Sequence, residues 1–451
     1  MIAIYLAPVY LLVCIYILLR TLNWIRVLHV VFQNVWVCRG IGLIYLFVVF
    51  SILIAFMAPA YLLVCIYILL RTLNWIRVLH VVFQNVWVCR GIGLIYLFVV
   101  FSILIAFMAP ASGFRRFMKL LSNYWLGVLV YMIMTVGIAD GLRLLLKYPL
   151  KNLNFPGRAL LFGNVGIAVV GVVCAVIITT VSIYGMINAG NIQTTKYDIS
   201  IDKKAGNLDS LNVVLIADLH LGYNIGCRHM EKMVEKINAQ NPDLVVVAGD
   251  IFDNEYEALE NPDRLAAILR GIQSKYGVYA CYGNHDIQEK ILAGFTFGGK
   301  EKKESSVKMD KFLEKAGITL LRDEYTLIDN SFYLYGRPDY ERPGRGIDER
   351  RSPQEITADM DLSLPVLVID HEPRELQELA DAGVDADLCG HTHDGQLFPG
   401  NLTIKLMWEN ACGYLKKDNM HSIVTSGVGL FGPNMRVGTK SEICDIMIHF
   451  K

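Results

Sequence analysis

The chain has 451 residues, 42 basic and 42 acidic, with no formal net charge. Its hydrophobic fraction of 54% and mean hydropathy of +0.41 exclude an ordinary soluble protein. Residues 1–190 carry 13 Lys and Arg against one acid, Asp140, and residues 191–451 carry 29 basic and 41 acidic side chains. The acidic second part argues against nucleic-acid binding, which needs basic surface.

The first part contains a repeat. Residues 10–59 and 61–110 are the same 50 residues, offset by 51, and the Ala-Pro pair at 7–8 recurs at 58–59, so the units run 7–58 and 58–110. Solenoid copies diverge, so such identity marks a recent tandem duplication or an error in assembling the sequence. Apolar runs at Ile2–Leu19, Ile41–Met57, Ile92–Met108, Tyr124–Ile138 and Ala159–Ile187 suit a bilayer core of ~30 Å. Tyr61–Leu70 is only ten residues long and joins the preceding run through Pro59. It either closes a tight hairpin or ends one long, Pro-kinked span. Residues 1–190 therefore read as a transmembrane region of five or six spans, where one copy of the repeat would give four.

Basic residues favour the cytoplasmic side. On the hairpin reading, loops 20–40, 71–91 and 142–158 lie inside with 3, 3 and 4 basic residues, and loop 111–123 lies outside with 3. That makes an integral protein of the cell membrane with its C-terminal domain extracytoplasmic. The five-span reading, seven against six, does not decide. Five cysteines in the last domain (Cys227, Cys281, Cys389, Cys412 and Cys444) argue mildly the other way. Their odd number and the lack of any CxxC give no disulfide framework or cysteine zinc site.

Residues 191–210 read as a polar linker, and 211–451 as a domain of another kind. There, short apolar strands end in polar clusters. "LNVVLIADLH" stops at Asp218 and His220, "DLVVVAGD" at Asp250, "YGVYACYGNHD" at Asn284, His285 and Asp286, "LPVLVIDH" at His371, and "ADLCGHTH" at His391 and His393. Helical stretches fall between them, at about Cys227–Gln240, Pro262–Ile272 and Pro373–Ala382. Strands alternating with helices imply an α/β layer fold whose carboxyl-end loops converge. Each cluster alone has an ordinary explanation: a turn, a helix cap, a core histidine. In order, each at a strand end, they make one site. Its oxygen and nitrogen donors suit Mn, Fe or Zn.

The runs "ADLH", "GD", "GNHD", "DHEP" and "GHTHDGQ" resemble the calcineurin-like metallophosphoesterase superfamily. "SGVG" followed by "MR" and "SEI" is similar to its membrane-linked branch, the YkuE-like proteins and the transmembrane proteins with a metallophosphoesterase domain. The resemblance covers roughly 208–451 and omits the repeated segment. It implies an α/β/β/α sandwich and two divalent ions (Mn, Fe or Zn). Asp218, His220 and His393 would hold the first ion, Asn284, His371 and His391 the second, and Asp250 would bridge. Such ions clamp a phosphoryl group and activate water for in-line attack. His285 would stabilise the transition state or protonate the leaving oxygen, and Asp286 would orient it. Asp394 stands where many members of the branch have Gly or a basic residue.

Weaker expectations concern Asp253, as a support for a ligand or a solvated residue, and Arg337, as a phosphate contact or an ion-pair partner. His229 and His421 read as structural, "KEKKES" (300–305) as a solvated loop, and "RPGRGIDERR" (342–351) as a loop able to cover the site. The function expected is hydrolysis of a phosphodiester or phosphomonoester, lipid- or envelope-linked, at the bilayer. The alternatives are a catalytically silent metal-binding sensor or scaffold on the same fold, and a channel with an enzymatic appendage. The scarcity of charge in the spans weakens the latter.

Overall fold

The computed structural model describes residues 60–110, 112–150, 162–289, 291–292, 295–296 and 305–451. The apolar runs at 2–19 and 41–57, the hairpin question at 41–60 and nearly all of the 300–305 loop lie outside the described residues.

Among the described residues, four helices are long and apolar enough to cross a membrane: α1 (Ala60–Leu79), α2 (Val86–Met108), α3 (Gly113–Leu150) and α4 (Asn164–Ala189). Tyr61–Leu70, too short alone, is the first half of α1. Residues 113–123, expected as an external loop, are helical and open α3. The chain divides into two compact units, 1–98 with 129–178, and 99–128 with 179–451. Within the first, Arg71 and the Tyr67 hydroxyl both hydrogen-bond to Asp140. This neutralises a carboxylate that would be costly in hydrocarbon.

The second unit holds the α/β domain. Its strands are β1 (Ile192–Ile201), β2 (Ser210–Ile216), β3 (Leu244–Ala248), β4 (Val278–Cys281), the short pair β5 (Ile291–Leu292) and β6 (Phe295–Thr296), β7 (Ile318–Leu320), β8 (Glu324–Ile328), β9 (Phe332–Gly336), β10 (Val366–Ile369), β11 (Ala386–Cys389), β12 (Gly413–Lys417), β13 (Met420–Val424) and β14 (Ser441–Phe450). Two six-stranded sheets result, in the orders β1-β14-β2-β3-β4-β7 and β12-β13-β11-β10-β9-β8. Strands β2, β3, β4 and β7 run parallel, as do β13, β11, β10 and β9.

The stretch 191–210 is not a linker. β1 pairs in parallel along its whole length with β14 and forms a sheet edge. Its alternation of Tyr197, Ile199 and Ile201 with polar residues is the pattern of a half-buried strand.

Alternation also explains why β2 and β3 are apolar throughout. Leu211, Val213, Leu215, Leu244 and Val246 face the second sheet, where they meet Leu334, Leu367, Ile369, Leu388 and Ile423. Val214, Ile216, Val245 and Val247 face a helix layer on the other side. Each such side chain stabilises the fold by about 1.5–3 kcal/mol through burial. The helices of that layer are α5 (Cys227–Asn238), α6 (Pro262–Leu269) and α7 (Val307–Ala316). α5 turns Met230, Met233, Val234 and Ile237 inward at helical spacing. The second sheet is covered by α8 (Pro353–Thr357) and α9 (Leu376–Asp381). The layers are therefore α/β/β/α.

Candidate metal centre

Strands β2, β3 and β4 are neighbours in one sheet, and β10 and β11 are neighbours in the other. Their carboxyl ends carry Asp218, Asp250, Asn284, His371 and His391 two or three residues beyond the last strand residue. Hydrogen bonds join the ends. The Asp218 N–H donates to the Gly249 carbonyl (3.0 Å) and the His220 N–H to the Asp250 carbonyl (2.9 Å). Across the sheets, the His391 N–H lies 3.1 Å from each Asp218 carboxylate oxygen.

Five of the candidate ligand positions are backbone-strained. Asp218, His220, Asp250, His391 and His393 have φ of 55°, 44°, 50°, 73° and 51°, a region non-glycine residues avoid. Such strain costs on the order of 1–3 kcal/mol per residue and clusters at functional sites. Two glycines make room. A Cβ on Gly249 would lie 2.6 Å from the His371 ring, and one on Gly283 would lie 2.3 Å from Asp250 Oδ1.

The structure brings all seven expected ligand residues together. Asp218, His220 and His393 form one group of mutually close donor atoms, and Asp218, Asp250 and His371 another. His220 Nε2 lies 3.0 Å from His393 Nε2. Asn284 Oδ1 lies 3.0 Å from His371 Nε2 and 3.1 Å from His391 Nδ1. The two ring nitrogens are 3.2 Å apart. Asp250 Oδ2 stands between the groups, 3.2 Å from His371 Nε2 and 3.7 Å from His220 Nε2.

This donor set fits cations. His371 Nδ1 lies 2.9 Å from the Ala248 carbonyl. A carbonyl only accepts, so the ring proton sits on Nδ1 and Nε2 turns toward an aspartate oxygen, an amide oxygen and a second imidazole nitrogen. Against its burial, the Asp250 charge raises His371 well above the imidazole range. The field at Nε2 thus calls for positive charge, as a proton or a metal ion. Asp250, against its own burial, is held well below the carboxylate range by His371 and then His285. Burial, followed by the His371 charge, lowers His391 to about 3. Burial and the neighbouring His220 lower His393 well below its usual value. Both are then neutral, the form that binds metal.

Around these, the structure departs from the sequence reading. Asp286 does not orient His285. Its buried carboxylate accepts the N–H groups of Phe252 (2.8 Å) and Gly283 (2.7 Å) and so caps the turn. The partner of His285 Nδ1 is the Asn254 side-chain oxygen. The clue in the sequence was slight: Asn254 follows "GDIFD" by one position. Burial, against the opposing Asp250 charge, lowers His285 to about 4. Its N–H donates to Asp250 Oδ1 at 2.7 Å, fixing one ligand from the residue beside another.

Arg337 does not face the site either. It is 0% exposed and is engaged by Asp370 (2.8 Å) and Glu375 (2.7 Å), which Arg350 also binds. Asp253 supports His220, with Oδ1 3.7 Å from Nδ1. His229 faces the Val428 carbonyl, and His421 lies between Tyr414 and the Ser200 carbonyl, both structural. Asp394 caps nothing among the ligands; its N–H bonds to Thr392.

Four further residues border the centre. The Phe431 ring is 4.6 Å from His285, and its loop is held by Gln396, which donates to the Phe431 and Pro433 carbonyls. The Trp408 ring is 5.2 Å from His391. Arg374 lies 5.0 Å from that Trp ring. Arg342, from the 342–351 loop, donates to the Asn284 carbonyl at 3.0 Å.

Residues 211–395 match the family model described as calcineurin-like phosphoesterase. The chain is 29% identical over 292 residues to the transmembrane protein with metallophosphoesterase domain of Danio rerio, covering 61% of this chain and 62% of that one. It is 26% identical over 293 residues to the Bos taurus protein of the same description, covering 61% of each. To the uncharacterized metallophosphoesterase YkuE of Bacillus subtilis it is 26% identical over 270 residues, covering 56% of this chain and 84% of that one. The chain spans about three-fifths of the length of the two vertebrate relatives.

Proposed function

Because residues 211–395 form a calcineurin-like metallophosphoesterase domain, we propose that the chain is a membrane-anchored hydrolase of a phosphodiester or phosphomonoester, with two divalent cations (Mn, Fe or Zn). One observation carries this reading: lone-pair donors face one another at 3.0–3.2 Å around Asp250. Bound there, two cations would neutralise a phosphoryl group and lower the pKa of water between them. Asp218, His220 and His393 would hold the first, Asn284, His371 and His391 the second, with Asp250 shared. Asn254 accepts from Nδ1 of His285, so Nε2 would be the ring atom that meets the phosphoester; the substrate's negative charge would favour protonation there, and that proton would go to the leaving oxygen. Phe431, beside His285, and Trp408, beside His391, would limit water at the centre.

If each described helix crosses once, Arg77, Arg90, Arg143 and Lys147 would lie across the bilayer from Ala189, where the chain enters the domain. Basic residues favour the cytoplasm, which supports an extracytoplasmic domain in the cell membrane. Tethering supports a lipid- or envelope-linked phosphoester as the substrate.

The test uses the full chain in detergent, stripped of metal and reloaded with Mn²⁺, Fe²⁺ or Zn²⁺. Turnover of bis-p-nitrophenyl phosphate and p-nitrophenyl phosphate is read beside Asp250→Asn. The expected result is metal-dependent turnover that falls at least about 100-fold in the variant. Metal-loaded, folded protein inert on both esters would favour the silent sensor or scaffold.

A further inference from the structure

One short segment beside the metal centre is used by the hydrolase reading only at its last residue, Trp408. It follows the turn that carries His393 and reads "FPGNLTIKLMW", from Phe398 to Trp408. It contains no acid and one base, Lys405. It forms two brief helical turns, Gly400–Thr403 and Ile404–Leu406. Leu402, Leu406 and Met407 are 56%, 87% and 75% exposed. Water penalises three large apolar side chains held this open within six residues, and such patches mark interaction surfaces.

The structure shows what adjoins this patch. The Phe398 N–H donates to the Val437 carbonyl (2.8 Å), and the Val437 N–H to the Gln396 carbonyl (3.1 Å). Asn401 reaches the Gly438 carbonyl. The strand-like strap 433–439 is thus laid against one side of the segment. Its other side lies on the ends of α3 and α4. The Arg436 N–H donates to the Gly185 carbonyl (2.9 Å), and Asn188 donates to the carbonyls of Arg436 (3.1 Å) and Thr439 (2.8 Å). Met435 packs on Gly127 and Gly185, and the Asn434 N–H donates to the Asn123 carbonyl. The 38 residues of α3 are about 57 Å long at 1.5 Å per residue, well beyond a core of ~30 Å. Its first turns are spent on the domain. Arg115 forms a bidentate pair with Glu255, and Arg116 donates to the Ala258 carbonyl. On the membrane-anchored reading the helix would leave the bilayer near Asn123, which adjoins the strap.

We propose that residues 398–407 are an interfacial ledge that inserts Leu402, Leu406 and Met407 into the outer part of the bilayer. The inference rests on the membrane-anchored reading above. The occupant is lipid because the ledge is continuous, through one strap, with helix ends that leave the membrane. Its composition agrees: apolar side chains with a lone lysine whose long stem lets the ammonium reach headgroup phosphates. The ledge begins five residues after His393, and Trp408 ends it against the His391 ring. The mouth of the metal centre then sits at headgroup depth, where a phosphoester borne by a lipid presents its phosphorus without leaving the membrane.

Nitroxide labels on the full chain in phosphatidylcholine–phosphatidylglycerol nanodiscs test this without any assay of activity. Three variants are compared: Leu406→Cys on the ledge, Val172→Cys within α4, and Tyr325→Cys on β8. Collision with oxygen is measured against collision with a water-soluble nickel chelate. The expected result is oxygen-dominated relaxation at 172 and 406 and chelate-dominated relaxation at 325, with Leu406→Cys at least about threefold more protected from the chelate than Tyr325→Cys. Val172→Cys lipid-exposed with Leu406→Cys as open to the chelate as Tyr325→Cys overturns the ledge and leaves the tether. Chelate-dominated relaxation at 172 as well overturns the membrane reading and the ledge with it.

Discussion

At the scale of single residues, two side chains that look alike in sequence do different work. Asp286 and Asn254 both lie within reach of His285, yet only Asn254 bonds its ring. Asn254→Ala is expected to lower kcat about 10–100-fold with little change in melting temperature, and Asn254→Asp, which keeps an acceptor, to recover much of it. Asp286→Ala is expected to act on stability instead. It strands the N–H groups of Phe252 and Gly283 at a total of about 3 kcal/mol, read as a lower melting midpoint. A larger kcat loss from Asp286→Ala than from Asn254→Ala, at equal stability, would return the orienting role to Asp286. The clustering of the candidate ligand residues was legible because each lies at the end of an apolar strand and is of a donor type that metals prefer. The partner of His285 was not, since Asn254 comes from the loop after β3 and His285 from the loop after β4. Arg337 misled for a similar reason. "GRPD" exposes nothing about burial, and the arginine answers Asp370 and Glu375 from elements later in the chain.

At the scale of elements, α3 belongs both to the membrane region and to the domain. The Arg115–Glu255 pair is buried, and Glu255 adjoins Asn254 and Asp253 in sequence. Arg115→Met removes the guanidinium from a buried carboxylate, at an expected cost of about 3–5 kcal/mol. Melting of the full chain in detergent checks this, and Arg115→Met combined with Glu255→Met should regain part of the loss. An unchanged midpoint in the single variant would detach α3 from the domain. A second tie joins β1, β14 and the loop after β13. Against its burial, Glu442 is held below its ordinary 4.5 by Ser426 and Thr195 and then by Lys440. A carboxyl lowered by folding stabilises the fold fully above the unfolded value, and the contribution is lost as pH falls through the lower folded one. The melting midpoint is therefore expected to fall as pH drops below about 4.5, less steeply in Glu442→Gln. Identical slopes would remove Glu442 from the account.

At the scale of the whole molecule, five strand ends from two sheets share one charge problem. Carboxylates and imidazoles are packed together there, so metal binding would couple to folding. Chelation is expected to lower the melting midpoint by about 5–10 °C, with recovery on adding Mn²⁺ or Zn²⁺. A midpoint indifferent to chelator and metal would separate the cluster from any ion. An α/β layer fold was readable from alternation of strands and helices, since burial on both faces of a strand demands a continuous apolar run; the α/β/β/α order came only with the family resemblance. β1 escaped because its polar face resembles a linker, and only its pairing with β14 reveals the strand.

The sequence by itself determined the membrane character of the first part, through length and hydropathy. It also determined the donor types and their order along the chain, because each motif is local. Only the tertiary structure decided which neighbours hold those donors, that α3 runs on into the domain, and that Arg337 is spent inside it. Those facts depend on residues distant in the chain meeting at strand ends and helix ends, and no local pattern encodes such meetings.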